Sequence, residues 1–553
     1  MSVETTEESV VEAIKRSSDF LRGELAEELS NADPDVSKGS EQILKFHGIY
    51  AQDNRDTRRE RALAKETLDY IYMARVVVPG GALSSEQWLA LDALADEVAD
   101  GTLRLTTREA VQLHGVLKGG LRALATKLDE RWLTTFGGCG DVVRNVVVCP
   151  ALHHGEDDAS LGDVAHELAM HFRARTQAHW EIFVNGERAV TRERDEQPFY
   201  GETYLPRKFK IAIASPHENC VDVFAQDVGL VPGVHPEVGR GFNVIVGGGL
   251  GRSYSHATTF ARLGDVVAFV RDDEATEAIA AIVDAYRELG DRGERKRARL
   301  KYVIADLGLA AFVAEVQTRL GRELRAPLAM EPFGRDDHLG WRRLASGTWH
   351  LGIRVGAGRV RDHGELRLRS ALRALAQRGD LAFHLTPSQD VIVSGVADRD
   401  REPITQLLKE HGIRFENELG PIERTALACP ALPTCSQALT EAERRLPELV
   451  NALEGELARS SAARRPLQLR LTGCPNGCAR PAVAEIGVVG RTKTTYDVVL
   501  GGSGRGDRLA RTYREKVVME EIAGIVGPLF ERWGREARPD ESFGDFVTRV
   551  EIA

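Results

Sequence analysis

The chain has no hydrophobic run approaching the roughly 18 residues that a membrane helix needs, which excludes a helical membrane span. Its first twelve residues hold Glu4, Glu7, Glu8 and Glu12 but no lysine or arginine. Secretory signals and transit peptides begin positively charged or poor in acid, so neither is expected here, and a cytoplasmic protein is expected. There is no excess of positive charge: 73 Lys and Arg stand against 83 Asp and Glu, a net charge of −10. That argues against generic nucleic-acid binding. Seven cysteines in 553 residues are too few for a disulfide scaffold, and a reducing compartment suits thiolate ligands. No flavin or nicotinamide domain is visible. Gly247-Gly-Gly-Leu-Gly251 and Gly501-Gly-Ser-Gly-Arg-Gly506 each follow a strand-like segment. The first lacks the G-x-G-x-x-G spacing and a ribose-binding acid, so both read as tight turns or as turns that let backbone approach an anion.

What is there begins with four cysteines in two close pairs, Cys429-Pro-Ala-Leu-Pro-Thr-Cys435 and Cys474-Pro-Asn-Gly-Cys478. One short loop can present two thiolates, and a fold can bring two loops together. Zinc sites space a close pair by two to four residues, which the first pair exceeds. Proline directly after Cys429 and Cys474 suits cluster-binding loops, where a rigid turn exposes the sulfur and leaves backbone N–H groups to bond it. A [4Fe–4S] cluster is the favoured reading, with zinc and unliganded thiols as alternatives. Cys139, Cys149 and Cys220 are expected to be buried structural thiols.

Residues 1–45 read as a polar helix followed by a linker over 31–39, and the charge-dense stretch 54–61 as a solvated surface. Alternating strand and helix signals start near residue 66: a strand over 72–78, a helix from Ser84 to Ala99 with serine as N-cap, and a strand from Leu103 to Val116. The chain also repeats itself. Leu105-Thr-Thr-Arg-Glu-Ala-Val111 returns as Leu385-Thr-Pro-Ser-Gln-Asp-Val391; Asn243 to Gly248 echoes Asp497 to Gly502; Asp227 to Val231 echoes Glu485 to Val489. Two halves are implied, each a small α/β unit followed by a larger one. The third echo sets Cys220 opposite Cys478, and the first half is expected to lack counterparts of the other three thiols.

Cations gather beside strand-like segments of the first half, in 104–108, 140–145 and 205–210. Lys208 and Lys210 share a face on a strand, as do Arg104 and Arg108 if their segment is extended. Like charges on one face repel unless an anion lies between them, so a concave site for a polyanionic cofactor, a small oxyanion or both is expected.

Together these motifs resemble the sirohaem-containing assimilatory sulfite and nitrite reductases over almost the whole chain. They are Phe46-His-Gly-Ile-Tyr50, Thr102-Leu-Arg-Leu-Thr-Thr-Arg108 with Gln112 and His114, Arg144-Asn145-Val146, Tyr204-Leu-Pro-Arg-Lys-Phe-Lys210, the four cysteines, and Ser542-Phe-Gly-Asp-Phe546. The resemblance implies an α+β and α/β fold, internally duplicated with pseudo-twofold symmetry. It would consist of an arm (1–65), a ferredoxin-like half-domain (66–130), a sirohaem and substrate domain (131–335), a second half-domain (336–418) and a cluster- and sirohaem-binding domain (419–553). It implies sirohaem coupled to a [4Fe–4S] cluster held by Cys429, Cys435, Cys474 and Cys478, with Cys478 also axial to the sirohaem iron. Arg104, Arg108, Gln112, His114 and Asn145 match cofactor-binding positions, and Arg75, Arg144, Lys208 and Lys210 match the catalytic cations.

The implied reaction is the six-electron reduction of sulfite to sulfide. Lys210 favours sulfite, because nitrite reductases of this type carry asparagine there and a dianion gains more from a fourth cation. Val143, where sulfite reductases carry asparagine, keeps nitrite reduction open. A non-catalytic iron–sulfur protein would explain the thiols but not the cations. Electrons must come from a separate protein, a ferredoxin or an NADPH-dependent flavoprotein; 101–107 and 112–118 lean to the ferredoxin branch. The arm could wrap the body or dock a partner.

Overall fold

A computed structural model describes residues 8–150, 161–174, 182–184, 187–190 and 199–552. Four five-stranded sheets form two like pairs. The first sheet of the small-unit pair orders Ile49–Asp53, Tyr70–Val76, Val111–Val116, Leu103–Leu105 and Arg359–Val360; its mate orders Gly340–Arg343, Trp349–Ile353, Val391–Val396, Ala382–Leu385 and Ala82–Ser84. Each small sheet therefore takes its last strand from the other half of the chain. The larger sheets share one topology, two parallel then two antiparallel pairings, in Val147–Val148, Ile211–Ile213, Val228–His235, Gly239–Val246 and Asp265–Arg271, and again from Leu427–Ala428 to Arg511–Val518. The mixed α/β architecture and internal duplication read from the repeats are both present.

Local chemistry accounts for the elements that matter. Ser84 caps the helix Ser85–Val98: its Oγ accepts from Gln87 N at 3.2 Å while Gln87 Oε1 accepts from Ser84 N at 3.1 Å, a reciprocal box. Trp88, Leu91, Leu94 and Ala95 are buried along that helix, so its apolar stripe faces the core. The two glycine turns are steric necessities. A Cβ at Gly248 would lie 2.1 Å from Phe224 O, and one at Gly502 would lie 2.2 Å from Ala484 O.

Several expectations need correction. The segment 103–116 is a hairpin of Leu103–Leu105 and Val111–Val116, not one strand. Thr106 N donates to Ala110 O and Glu109 N to Thr106 O, each at 3.0 Å, closing a tight turn. Its β-branched residues mimic a strand in sequence, and Arg108 therefore lies in a turn instead of sharing a strand face with Arg104. The polar N-terminal helix is three helices in the described residues, Val10–Ser17, Leu25–Ser30 and Lys38–Phe46. Ser37 Oγ accepts from Ser40 N and starts the third inside the expected linker. The arm packs on the body: Lys15 Nζ, 1% exposed, donates to Leu205 O at 2.9 Å.

Candidate active site: a cationic wall beside four thiols

Strand register makes the first part of the site. Arg75 pairs with Gln112, Gln112 with Arg104, and Arg104 with Arg359 across four neighbouring strands. Directly opposed residues share a face, so three guanidiniums and one amide stand in a row, with His114 two positions beyond Gln112 on the same side. The Gln112 amide oxygen accepts from Arg75 Nη2 at 2.6 Å and Nε at 3.2 Å. Glu443 relieves the far end, its Oε1 accepting from Arg359 Nε at 2.7 Å and its Oε2 from Arg104 Nε at 3.0 Å. Burial would raise that carboxyl, but the two guanidiniums outweigh it and hold it below its usual range. His114 is pushed well below the ordinary imidazole range by burial, and then by Arg359, Arg104 and Arg75, so it is neutral near pH 7. Arg359 was missed from sequence because only the exchange of strands between halves brings it here, and Glu443 because it arrives from the helical turn Glu443–Arg445, 339 residues from Arg104.

The second part comes from the turn and from two extended segments. Arg108 donates to Gln226 Oε1 at 3.0 Å, to Ile211 O at 3.1 Å and to Asn145 O. Asn145 Nδ2 donates back to Arg108 O at 2.8 Å, to Val78 O at 2.9 Å and to Glu109 O at 3.1 Å, fixing the turn that carries Arg108. A backbone bridge joins Val143 to Phe209 and brings Arg144 beside Lys208 and Lys210. Val143 is buried, with its N–H on Tyr200 Oη at 3.2 Å, so its side chain belongs to the packing.

Among the described residues Arg75, Arg108, Arg144, Lys208 and Lys210 have no carboxylate within ion-pair distance, and the two lysine ammonium groups have no hydrogen-bond acceptor. Burial, then Arg207, Arg299 and Arg144, lowers Lys208 to about 7. Lys210 is driven well down by burial, Lys208 and Arg108, and Arg108 is lowered to about 9 by burial and Arg144. A set of half-buried cations without counter-charge is unfavourable by itself. The buried Nε atoms of Arg108 and Arg470 and Nδ1 of His114 also lack partners. Donors and charges of this kind fit a polyanionic cofactor and a small anion, as sirohaem and its substrate would be.

The thiols form the third part. Cys429 follows the strand Leu427–Ala428, its N–H on Leu471 O at 3.2 Å, and its Sγ accepts from Gly473 N at 3.3 Å. Leu439 N and Thr440 N both donate to Gly473 O, tying the two cysteine loops together. Among the described residues the four sulfurs do not form one of the tight donor groups that could hold a single ion. A tetrahedral zinc with Zn–S near 2.3 Å needs S···S of about 3.8 Å, so the set is too open for one ion and fits a cluster. Cys429 is raised well above the usual thiol value by burial and by Cys478, and Cys474 reaches about 12 for the same causes. Thiols so disposed become thiolates only with a cationic centre. Cys478 alone of the four is exposed, and its charge acts on Arg75, Lys208 and Lys210 as well as on the other three sulfurs. It joins the thiol set to the cationic wall.

The stretch 54–61 is more than a solvated surface. Arg55 Nη1 donates to Cys435 O at 3.1 Å and Ala438 O at 2.6 Å, and Arg55 N donates to Pro433 O at 3.1 Å. Arg55→Ala is expected to speed iron loss from the purified protein several-fold under a chelator, as read by absorbance decay, with the fold intact by circular dichroism.

A buried ion triad was also missed. Asp222 accepts from Arg470 Nη1 at 2.6 Å and from Arg480 Nε. Arg480 Nη1 and Nη2 then donate to Thr107 O and Pro387 O, both at 3.1 Å. Asp222 and Arg480 occupy equivalent places in the two repeats, both with left-handed backbone (φ 49° and 58°), as do Thr107 and Pro387. The 258-residue offset between Asp227 and Glu485 was the signal that could have found the pair. Removing one partner of a buried ion pair costs about 3–5 kcal/mol. Asp222→Asn is accordingly expected to lower the thermal transition by several degrees, measured by calorimetry.

Comparison with known proteins shows the same internal duplication. Residues 139–324 and 420–553 match the model described as the nitrite and sulphite reductase 4Fe-4S domain, and residues 64–131 and 342–411 match the nitrite/sulfite reductase ferredoxin-like half domain. The chain is 42% identical over 550 residues to a Myxococcus xanthus protein named sulfite reductase (NADPH) hemoprotein beta-component, covering 98% of this chain and 96% of that one. It is 41% identical over 550 residues to a Paenibacillus protein of the same name, covering 98% and 95%. The solved structure of the Mycobacterium tuberculosis NirA protein matches with a TM-score of 0.80 at 25% identity, covering 99% of this chain and 97% of that one.

Proposed function

This chain belongs to the nitrite and sulfite reductase family, and from that premise we propose that its reaction is the six-electron reduction of sulfite to sulfide, with three oxygens leaving as water. One observation carries the choice of substrate: among the described residues Lys208 and Lys210 stand without acceptors, beside Cys478 and Arg144. Positive charge on these side chains favours a dianion over a monoanion, since the attraction grows with the anion's charge. The names of the relatives support the same substrate.

Cys429, Cys435, Cys474 and Cys478 would hold the [4Fe–4S] cluster, and Cys478 would also hold the sirohaem. Arg104, Arg108, Gln112 and His114 would hold sirohaem, the neutral His114 as a hydrogen-bond partner. When bound, the coupled centres supply electron storage and transfer. The chain's own residues do the rest. Arg75, Arg144, Lys208 and Lys210 draw in the anion and stabilise charge on its oxygens as S–O bonds break. Lys208, lowered to about 7, can give up a proton at those oxygens near neutral pH. Asn145 and Gln226 position Arg108.

The electron donor we propose is an NADPH-dependent flavoprotein, because the relatives are named as beta-components of the NADPH enzyme. This replaces the lean to ferredoxin from 101–107 and 112–118. Nitrite reduction to ammonia is the second reading, since the matching family model covers nitrite and sulphite reductases alike. The deciding experiment supplies an artificial one-electron reductant and measures sulfide from sulfite and ammonia from nitrite in parallel. Sulfide with the higher kcat/KM is expected, and much faster ammonia formation would overturn the reading.

A further inference from the structure

We infer that Cys149, Cys220, His338 and Glu218 form a second metal site, for a single divalent ion of the zinc class, at the position in the first half that the cluster site occupies in the second.

The repeat places it. Val147-Val-Cys-Pro-Ala-Leu152 matches Leu427-Ala-Cys-Pro-Ala-Leu432 at an offset of 280 residues, so Cys149 is the counterpart of Cys429. Backbone pairing agrees: Cys149 N donates to Ile213 O at 2.9 Å where Cys429 N donates to Leu471 O at 3.2 Å. Cys220 is the counterpart of Cys478 at the 258-residue offset. The first half thus keeps two of the four thiol positions, not one. The remaining counterparts, Gly155 and Pro216, carry no ligand atom.

Two other side chains complete the set. Cys149 Sγ lies 3.8 Å from His338 Nε2 and 4.0 Å from Glu218 Oε2, and those two are 3.3 Å apart. Cys220 Sγ lies 2.8 Å from Cys149 Sγ. Metal–ligand bonds of 2.0–2.3 Å in a tetrahedron predict S···N of about 3.6 Å, S···O of about 3.5 Å, N···O of about 3.3 Å and S···S of about 3.8 Å. Three of the four separations are within about half an ångström of those values. The sulfur pair must open by about 1 Å, yet it is well outside a covalent S–S bond of about 2.05 Å. Cys149, His338 and Glu218 are 2%, 1% and 5% exposed. Asp336 is within reach of the same imidazole but is paired with Arg342. Cys149, Cys220 and His338 lie within 4.8 Å of one another, with Glu218 against Cys149 and His338; mixed donors this close are wrong for a four-iron cluster and right for one borderline-soft ion.

The site would join three segments: the end of the strand Val147–Val148, the loop after Ile211–Ile213, and the connector before Gly340–Arg343. Gly334 N donates to His217 O at 2.7 Å beside it. An ion here would staple the first large unit to the start of the second half.

The test uses holoenzyme purified from cells grown with zinc, with elemental analysis of zinc and iron. About one zinc per chain is expected, with X-ray absorption giving two sulfur and two nitrogen or oxygen neighbours. Cys220→Ser and His338→Ala are expected to lose most of the zinc while iron content and the haem-type spectrum stay at the parent level. Glu218→Gln, a milder change, is expected to release zinc to a chelator at least about tenfold more readily. A shell of four sulfurs would put the zinc in the cluster cysteines and overturn the proposal. So would zinc unchanged in all three variants, absence of zinc from iron-replete parent, or a Cys149–Cys220 disulfide found by peptide mapping of the parent.

Discussion

Cys435→Ser is expected to remove the cluster iron and to bring sulfite reduction below about one part in 10³ of the parent, a loss of about 4 kcal/mol or more in transition-state terms. The reason lies in how the four thiols are held. Burial and the neighbouring sulfurs push the proton affinities of Cys429, Cys435 and Cys474 up, so the protein gives up a cationic centre only at a large cost. A serine oxygen at 435 keeps the Arg55 clamp, whose acceptor there is the backbone carbonyl. The variant therefore separates loss of a ligand from loss of the loop. Iron analysis and electron paramagnetic resonance of the reduced protein read the cluster directly. Retention of a full cluster signal with normal turnover would remove Cys435 from the ligand set.

Lys210→Asn is expected to lower kcat/KM for sulfite by about 10²–10³, equivalent to about 2.7–4 kcal/mol, while the haem-type absorption per chain stays near parental. Lys210 N is held on Asp227 Oδ2 at 2.9 Å, a backbone contact that asparagine retains, so the change removes the ammonium and little else. Nitrite reduction should fall less, because a monoanion gains less from each cation. Equal loss of turnover and of cofactor would make Lys210 a cofactor residue instead. The neighbouring lysine adds a pH signature. A lysine is charged below its folded pKa, and Lys208 is brought down to about 7, so its charge is present below neutrality and lost as pH rises. The rate should therefore decline on the alkaline side, and Lys208→Arg, whose guanidinium stays protonated, should move that limb to higher pH. Nitrite, a monoanion across this range, serves as the substrate that does not itself titrate. An unchanged alkaline limb in Lys208→Arg would assign the titration elsewhere.

Much of this site is legible along the chain, and the illegible parts share one cause. Arg104, Gln112 and His114 alternate on strands, and Lys208 and Lys210 flank Phe209, so period-two spacing exposes them. Asn145 reads as a polar residue beside a cation, but its three bonds to Val78, Arg108 and Glu109 exist only because a turn folds back on it. Arg359 reaches the arginine row on a strand lent by the other half, and Glu443 from the helical turn Glu443–Arg445. Arg480 meets Asp222 only because the repeats face each other about their local symmetry. Cys149 was read as a buried structural thiol, though Cys-Pro-Ala-Leu occurs twice in the chain. The repeat was visible; that His338 and Glu218 close on it was not.

By itself the sequence determined the class of chemistry. Four thiols, uncompensated cations and a duplicated pattern each follow from side-chain identity and spacing, which act over a few residues. Tertiary structure alone decided which cations are neutralised and which are left for an anion. Glu443 quenches Arg104 and Arg359, Asp222 quenches Arg470 and Arg480, Asp227 quenches Arg299, and no described carboxylate reaches Lys208, Lys210, Arg144, Arg108 or Arg75. Coulomb pairing depends on distance in space, and these carboxylates come from positions 72 to 339 residues away in the chain, at separations no local pattern encodes.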